Sequence, residues 1–288
     1  MILITGAAGK TGQAAIRSVS KGNERVRALV FRSEQASIAE EGGASEVLVG
    51  DMRNTPTLAD ACSGIRAVYH IPPNMNADEV SIGQRIITQA MSSGIEHFVY
   101  HSVFRPQIKA MPHHWRKMQV EEMLFSSGLV FTILQPTAYM QNILGQLDQI
   151  KKDERYRVPY GKDTSTSLVD LEDVAEIAAI VLSGHEHDYA TYELVGMDAV
   201  SPREIARILG ETINLDVHAE TLSLDAWERG ARSGGMTERQ IDGLVKMFKY
   251  YEQHDFKGNS RVLRTLLGRA PTTLHEAILR EISRHQAS

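Results

Sequence analysis

Met1-Ile-Leu-Ile-Thr-Gly6-Ala-Ala-Gly9-Lys-Thr-Gly12 opens the chain: an apolar run, then a turn with three glycines. Ala14, Ala15, Ile16 and Val19 follow at helical spacing, so the turn joins a strand to a helix. Glycine lets such a turn be tight and lets the backbone approach a phosphate closely. The free N–H groups and the dipole of the helix start then favour an anion. The spacing is GxxGxxG rather than GxGxxG. Gly6, Ala8, Gly9, Lys10, Thr11 and Gly12 form the candidate pyrophosphate cradle. The alternative is a plain strand–helix turn in which glycine serves only packing.

Working outward, the same rhythm repeats. Apolar runs at Val26–Phe31, Ser45–Val49, Ala67–Ile71, Phe98–His101 and Phe131–Gln135 alternate with helical patterns at Thr11–Lys21, Asp78–Ser93 and Trp115–Ser127. Alternation means crossover units and a parallel sheet covered on both faces, whose buried strands read as continuous apolar runs. The fold class is α/β: a Rossmann-like, doubly wound parallel sheet with a smaller C-terminal α/β substrate lobe. The expected division is 1–135 for dinucleotide binding, with returns near 167–195, and 136–288 for the lobe. Beyond Pro136 one helix is predicted over Ala138–Lys151 and another after the capping box at Ser201–Glu204, with Leu222–Gly258 helical.

Composition excludes other classes. The 288 residues are 42% hydrophobic and 23% charged, which is ordinary for a globular chain. With 31 Lys plus Arg against 36 Asp plus Glu, the net charge of −5 suits no dedicated nucleic-acid binder. A single cysteine, Cys62, permits neither an internal disulfide nor a Cys-based zinc site. No run reaches transmembrane length, and Met1–Gly6 lacks the basic start and long apolar stretch of a signal peptide. The expectation is a cytoplasmic protein with no membrane partner.

The strand ends carry the candidate chemistry. NAD binders usually place an acid at the end of the second strand; here the residue is Arg32, whose planar fork suits a 2′-phosphate, the alternative being a merely solvated side chain. Lys10 can reach the same region, so NADP(H) is expected in preference to NAD(H). Asp51 either accepts from the adenine amino group or caps the helix at Pro56–Ala61, and Met52 can pack on the ring. Ile71 and Pro72 begin a stiff loop where the sheet crevice should lie. Ser102 ends the fifth strand; His113, His114 and Lys117 open the next helix. His113 and Lys117 are four residues apart and share a helix face if the helix begins early. His113 or His114 can exchange a proton near pH 7, or be a solvated helix start. Lys117 can hold the nicotinamide ribose, or form a surface ion pair with Glu121 at i+4. A zinc reading of His101, His113 and His114 and a serine-hydrolase reading both lack their motifs, so no metal is expected. Tyr139, Met140, Trp227, Met236, Met247, Phe248, Tyr250 and Tyr251 either line a hydrophobic substrate pocket or form core.

Taken together, Gly6–Gly12, Arg32, Gly50-Asp51, His97-Phe-Val-Tyr-His-Ser102, Lys117…Glu121…Leu124, Ser127–Pro136 and Tyr139-Met-Gln-Asn142 resemble the NmrA-like, atypical short-chain dehydrogenase/reductase family. The likeness spans most of residues 1–182. It implies an NAD(P)-binding Rossmann-like domain with a small substrate lobe, and makes Ser102, Pro136 and Tyr139 candidate cofactor contacts. Members of the family include NADPH-dependent quinone reductases, triphenylmethane reductase, isoflavone-type reductases and redox-sensing transcriptional co-regulators. The wider superfamily uses Tyr-x-x-x-Lys; the matching positions here are His113 and Lys117. The leading expectation is an NADPH-dependent reductase of a small, aromatic or quinone-like compound, with Lys117 and His113 as catalytic candidates. The rivals are a non-catalytic NADP(H)-sensing regulator with a protein partner and a nucleotide-sugar epimerase, which the missing Tyr disfavours. A homodimer fits any of these.

Overall fold

The computed structural model describes residues 1–287. Strand and helix alternate through β1 (Ile2–Ile4), α1 (Lys10–Lys21), β2 (Val26–Val30), α2 (Ala36–Glu41), β3 (Glu46–Val49), α3 (Thr55–Cys62), β4 (Ala67–His70), α4 (Glu79–Ser92), β5 (His97–His101), α5 (Pro112–Phe125) and β6 (Phe131–Pro136). Next come β7 (Ala138–Tyr139), α6 (Gln141–Leu144), α7 (Leu147–Asp153), β8 (Arg155–Val158), β9 (Leu168–Val169), α8 (Leu171–Ser183), β10 (Ala190–Leu194), α9 (Pro202–Ile213) and β11 (His218–Thr221). The chain closes with α10 (Leu224–Ser233), α11 (Glu238–His254), α12 (Arg261–Leu267) and α13 (Leu274–Ala287). Two compact units result. The first holds Met1–Lys109, His113–Gln135 and Leu171–Glu193; the second holds Ala110–Pro112, Pro136–Asp170 and the chain from Leu194 onward.

In the first unit seven strands form one sheet in the order β3-β2-β1-β4-β5-β6-β10. Every pairing from β3 to β6 is parallel. Helices cover it, so β1, β4 and β5 are buried along their whole length, which is why their sequences do not alternate. Helix α8 packs on α1, with Arg17 reaching Glu172 at 3.2 Å. Leu58 of α3, Ile86 and Ile87 of α4 and Val120 and Leu124 of α5 join Leu3, Val68, Phe98 and Ile133 in one apolar cluster. Each such side chain stabilises the fold by roughly 1.5–3 kcal/mol through removal from water. A Cβ on Gly83 would lie 2.7 Å from Val120 Cγ2, so α4 and α5 meet at closest approach there. The chain runs outward from β1 in both directions, to β2 on one side and β4 on the other. That reversal opens a crevice beyond the carboxyl ends of β1 and β4.

The second unit has its own core, including Met140, Ile143, Leu147, Ile150, Tyr156, Ile205, Leu209, Leu274 and Ile278. Strands β8 and β11 pair in parallel. Ser201 and Glu204 form the expected capping box of α9, with Glu204 Oε2 accepting from the Ser201 N–H at 2.8 Å. The buried Asp170 carboxylate accepts from Gln141 and Arg280. The one helix expected over Ala138–Lys151 divides here, and the expected helical region Leu222–Gly258 resolves into two helices. Ala138–Lys151 begins as a strand, because Ala138 and Tyr139 pair with Leu168 and Val169, and Gly145 separates α6 from α7. Leu222–Gly258 breaks at Gly234–Gly235 into α10 and α11, each with its own cap at Ser223 and Thr237. Of the later aromatics and methionines, Met140, Phe248 and Tyr251 are core; Tyr139, Trp227, Met247 and Tyr250 are half-buried and Met236 is exposed. Among the described residues no helix is long and apolar enough to cross a membrane, and no group of three or more His, Cys, Asp or Glu is placed to hold a metal.

Candidate active site

The glycine-rich turn leaves β1 at its carboxyl end. Gly6 has φ +60°, and a Cβ there would lie 2.6 Å from the Ile71 carbonyl oxygen. A Cβ on Gly12 would lie 2.4 Å from the Gly6 oxygen and 2.6 Å from Ala7 Cα. Both glycines are therefore demanded by the turn itself. Gly9 is not held so tightly; its Cβ would meet only the Gly6 oxygen, at 3.3 Å. Gly9 is also the N-cap of α1, without a side chain to cap it, and no acid occupies the first turn. The N–H groups of Lys10, Thr11 and Gly12 have no carbonyl partner within the helix. An uncapped, acid-free helix start with glycine at its cap fits a phosphate anion. Ala8 is half-buried and its carbonyl accepts from Gln13 Nε2 at 2.8 Å; Thr11 is half-buried and Lys10 exposed.

At the end of β2, Arg32 is exposed and its guanidinium has no partner among the described residues. Its backbone N–H is held by Gln35 Oε1 at 3.0 Å. The end of β3 settles one alternative. Asn54, not Asp51, caps α3, its Oδ1 accepting from Thr57 N–H at 3.5 Å. Asp51 is clasped instead by Arg53, whose Nη2 lies 2.7 Å from Oδ2, and this holds its carboxyl below the usual range. Met52 packs against the apolar cluster of the first unit. Beyond β4, Ile71 and Pro72 are buried. Thr5 Oγ1 accepts the Ile71 N–H at 2.9 Å and is bonded to His70 Nδ1 at 2.9 Å, which stitches this loop to the end of β1.

Around β5 and α5 the structure assembles a polar cluster that sequence spacing does not show. Helix α5 starts at Pro112, three residues before the expected Trp115, because proline suits a first helical position. His113 and Lys117 are then one turn apart on α5. Lys117 Nζ donates to Glu79 Oε1 at 2.7 Å and to the His101 carbonyl at 3.2 Å, and lies 5.5 Å from the Tyr100 ring centroid. Tyr100 Oη donates to the same Glu79 oxygen at 3.0 Å. Tyr69 Oη and His101 Nδ1 are bonded at 2.6 Å. Glu121 does not pair with Lys117 on the surface: it is buried, and accepts from Ser102 Oγ and from Gln135 Nε2 at 2.9 Å. Burial pushes its carboxyl pKa up, against the pull of those two donors.

His113 is not a group that titrates near pH 7. Burial, reinforced by His114, Lys117 and Arg116, brings its pKa down to about 3. Its ring meets that of His114 edge-on at 4.5 Å. His101 and His70 are likewise held at about 3, mainly by burial. Tyr100 keeps its proton, since burial and Glu79 push its pKa well above 10. The rings of His70, His101 and His113 thus stay neutral at pH 7. Pro136 closes β6 and Tyr139 stands opposite Val169 in β7; both belong to the second unit. Sequence reasoning missed Glu79, Tyr100, Thr5 and Gln135. Glu79 lies 38 positions from Lys117, and no local spacing relates them.

A model of the NmrA-like family matches residues 1–278. The chain is 26% identical over 281 residues to the NAD(P)H azoreductase of Xenophilus azovorans, covering 96% of each. It is 25% identical over 284 residues to quinone oxidoreductase 2 of Escherichia coli, covering 96% of this chain and 97% of that one. The solved structure of the NADPH-dependent quinone oxidoreductase from Escherichia coli complexed with NADPH matches with a TM-score of 0.85 at 24% identity, over 98% of this chain and 100% of that one. The fold is shared across essentially the whole length.

Proposed function

We propose that this chain, which belongs to the NmrA-like family, is an oxidoreductase that takes a hydride from a nicotinamide dinucleotide, NADPH in preference to NADH, and delivers it to a small aromatic or quinone-like compound. The observation that carries the reading is the uncapped, acid-free start of α1 behind a turn whose Gly6 and Gly12 admit no side chain. Relatives named NAD(P)H azoreductase and quinone oxidoreductase, each matched over nearly its full length, support it. When bound, the nicotinamide supplies the hydride; the protein supplies binding, orientation and electrostatics.

On this reading the amides of Ala8, Lys10, Thr11 and Gly12 hold the pyrophosphate, while the Gly9 N–H closes the turn on the Gly6 carbonyl at 3.0 Å. Arg32, exposed and unpaired beyond β2, takes the 2′-phosphate with both arms of its fork, and Lys10 adds charge. Asp51 and Met52 meet the adenine, while Ile71, Pro72 and Ser102 bound the rest of the dinucleotide. Lys117 has three ammonium hydrogens and spends two on Glu79 and the His101 carbonyl, leaving one for a ribose hydroxyl. His113, being neutral, can donate one N–H bond but delivers no proton from an imidazolium. An alkoxide needs a proton at once; the anion left on a reduced quinone is stabilised and takes its proton from water. The site therefore suits a quinone-like acceptor better than a simple ketone.

The lack of a histidine that titrates near pH 7 in the cluster also favours a second reading, a regulator that binds NADP(H) without turnover. NADPH oxidation followed at 340 nm with a panel of quinones at micromolar enzyme separates the two. The enzyme reading expects acceptor-dependent oxidation that falls about 10²-fold in Lys117→Ala. NADPH binding with no oxidation by any acceptor would establish the regulator.

A further inference from the structure

We propose that Glu79 is the positioning residue for Lys117, fixing its ammonium so that the one remaining hydrogen faces the cofactor ribose; this rests on the role given to Lys117 above. A lysine stem is long and flexible, and an ammonium is a point charge without directional preference of its own. Something must hold it if one hydrogen is to be kept for a ligand. The helix neighbour at i+4, Glu121, does not: its carboxylate is turned to Ser102 and Gln135. Glu79, the first residue of α4, takes its place at 2.7 Å, with 1% of its surface exposed.

Two features make Glu79 more than a neutralising charge. Its Oε1 also accepts from Tyr100 Oη at 3.0 Å, so a strand side chain fixes the carboxylate that fixes the lysine. The Tyr100 ring is itself stacked on His70, centroids 5.9 Å apart. Position is thus relayed from β4 and β5 through Glu79 to a residue of α5. In addition, Glu79 stands at the start of α4, where the helix dipole favours its charge. Its second oxygen, Oε2, is buried with no hydrogen-bond partner among the described residues. A carboxylate kept in the core solely for stability would ordinarily be satisfied at both oxygens.

NADPH binding to the intact protein tests this, by titration of nicotinamide fluorescence with wild type, Glu79→Gln, Lys117→Ala and the double variant. If Glu79 acts through Lys117, each single change raises Kd about tenfold and the double variant binds no more weakly than Lys117→Ala alone. Tyr100→Phe removes the second strut without removing charge. It should raise Kd about threefold in the wild-type background and leave Kd unchanged in Lys117→Ala; this arm stands in if Glu79→Gln does not fold. A wild-type Kd in Glu79→Gln, or losses that simply add in the double variant, would overturn the positioning role while leaving the cofactor reading intact. Wild-type protein that takes up no NADPH would overturn both.

Discussion

Acid should unfold this protein through its histidines, well above the pH at which its carboxylates matter. His70, His97, His101, His113 and His114 are all buried in the first unit. Burial brings His70, His101 and His113 down to about 3, and His97 and His114 down to about 4, from the ordinary 6.5. The unfolded chain binds protons at these rings from pH 6.5 downward while the folded chain does not. The stability they contribute is therefore complete above pH 6.5 and is lost as pH falls towards 4 and 3. At pH 5 the unfolded rings lie 1.5 units past their midpoint, a loss of about 2 kcal/mol per ring at ~1.36 kcal/mol per unit. Five rings together approach ~10 kcal/mol, comparable with the ~5–15 kcal/mol that holds a whole domain. Glu121 runs the other way, because burial raises its pKa and this stabilises the folded form as pH falls. Urea unfolding between pH 7.5 and 5 should show stability falling with a slope near pH 5 of roughly 6 kcal/mol per unit, the uptake of between about four and five protons by the five rings, less whatever Glu121 returns. A slope worth one proton or less would refute the argument, as would ring signals assigned to these five histidines in the folded protein that titrate near 6.5.

Two further outcomes are open to direct measurement. Arg32→Asp should weaken NADPH binding about 100-fold and NADH binding about threefold at most, because only the former loses a charge-assisted bidentate contact; equal losses by calorimetry would remove Arg32 from the 2′-phosphate. Gly6→Ala should lower unfolding free energy by about 2 kcal/mol or more, since it forces a Cβ into a left-handed position 2.6 Å from the Ile71 oxygen; a loss under about 0.5 kcal/mol would show that the loop gives way freely.

The sheet was readable because buried parallel strands write themselves as short apolar runs; the six runs of the first half end within about one residue of β1 to β6. The glycine turn was readable for a related reason, since Gly6 and Gly12 answer to the backbone around them rather than to distant partners. Legibility failed where long-range contacts decide. Ala138–Tyr139 carries helical periodicity yet pairs with Leu168–Val169. Asp51 stands where a cap is expected, and Asn54 three positions on performs it, freeing Asp51 for Arg53. Lys117 and Glu121 have the spacing of a surface ion pair, but each finds its partners on other elements. A histidine in sequence also suggests a group that changes charge near neutrality; only the packing around His113 shows that it stays uncharged.

Arg32 lies outside every strand ladder, is open to solvent and touches no acid among the described residues. Gly6 and Gly12, by contrast, are locked by the chain that surrounds them. Substitution at position 32 consequently carries little penalty for folding, whereas the turn tolerates almost none. On the reading proposed above, descendants or engineered versions of this scaffold can drift or be steered in which dinucleotide they favour, one surface codon at a time, while the proposed phosphate grip stays frozen.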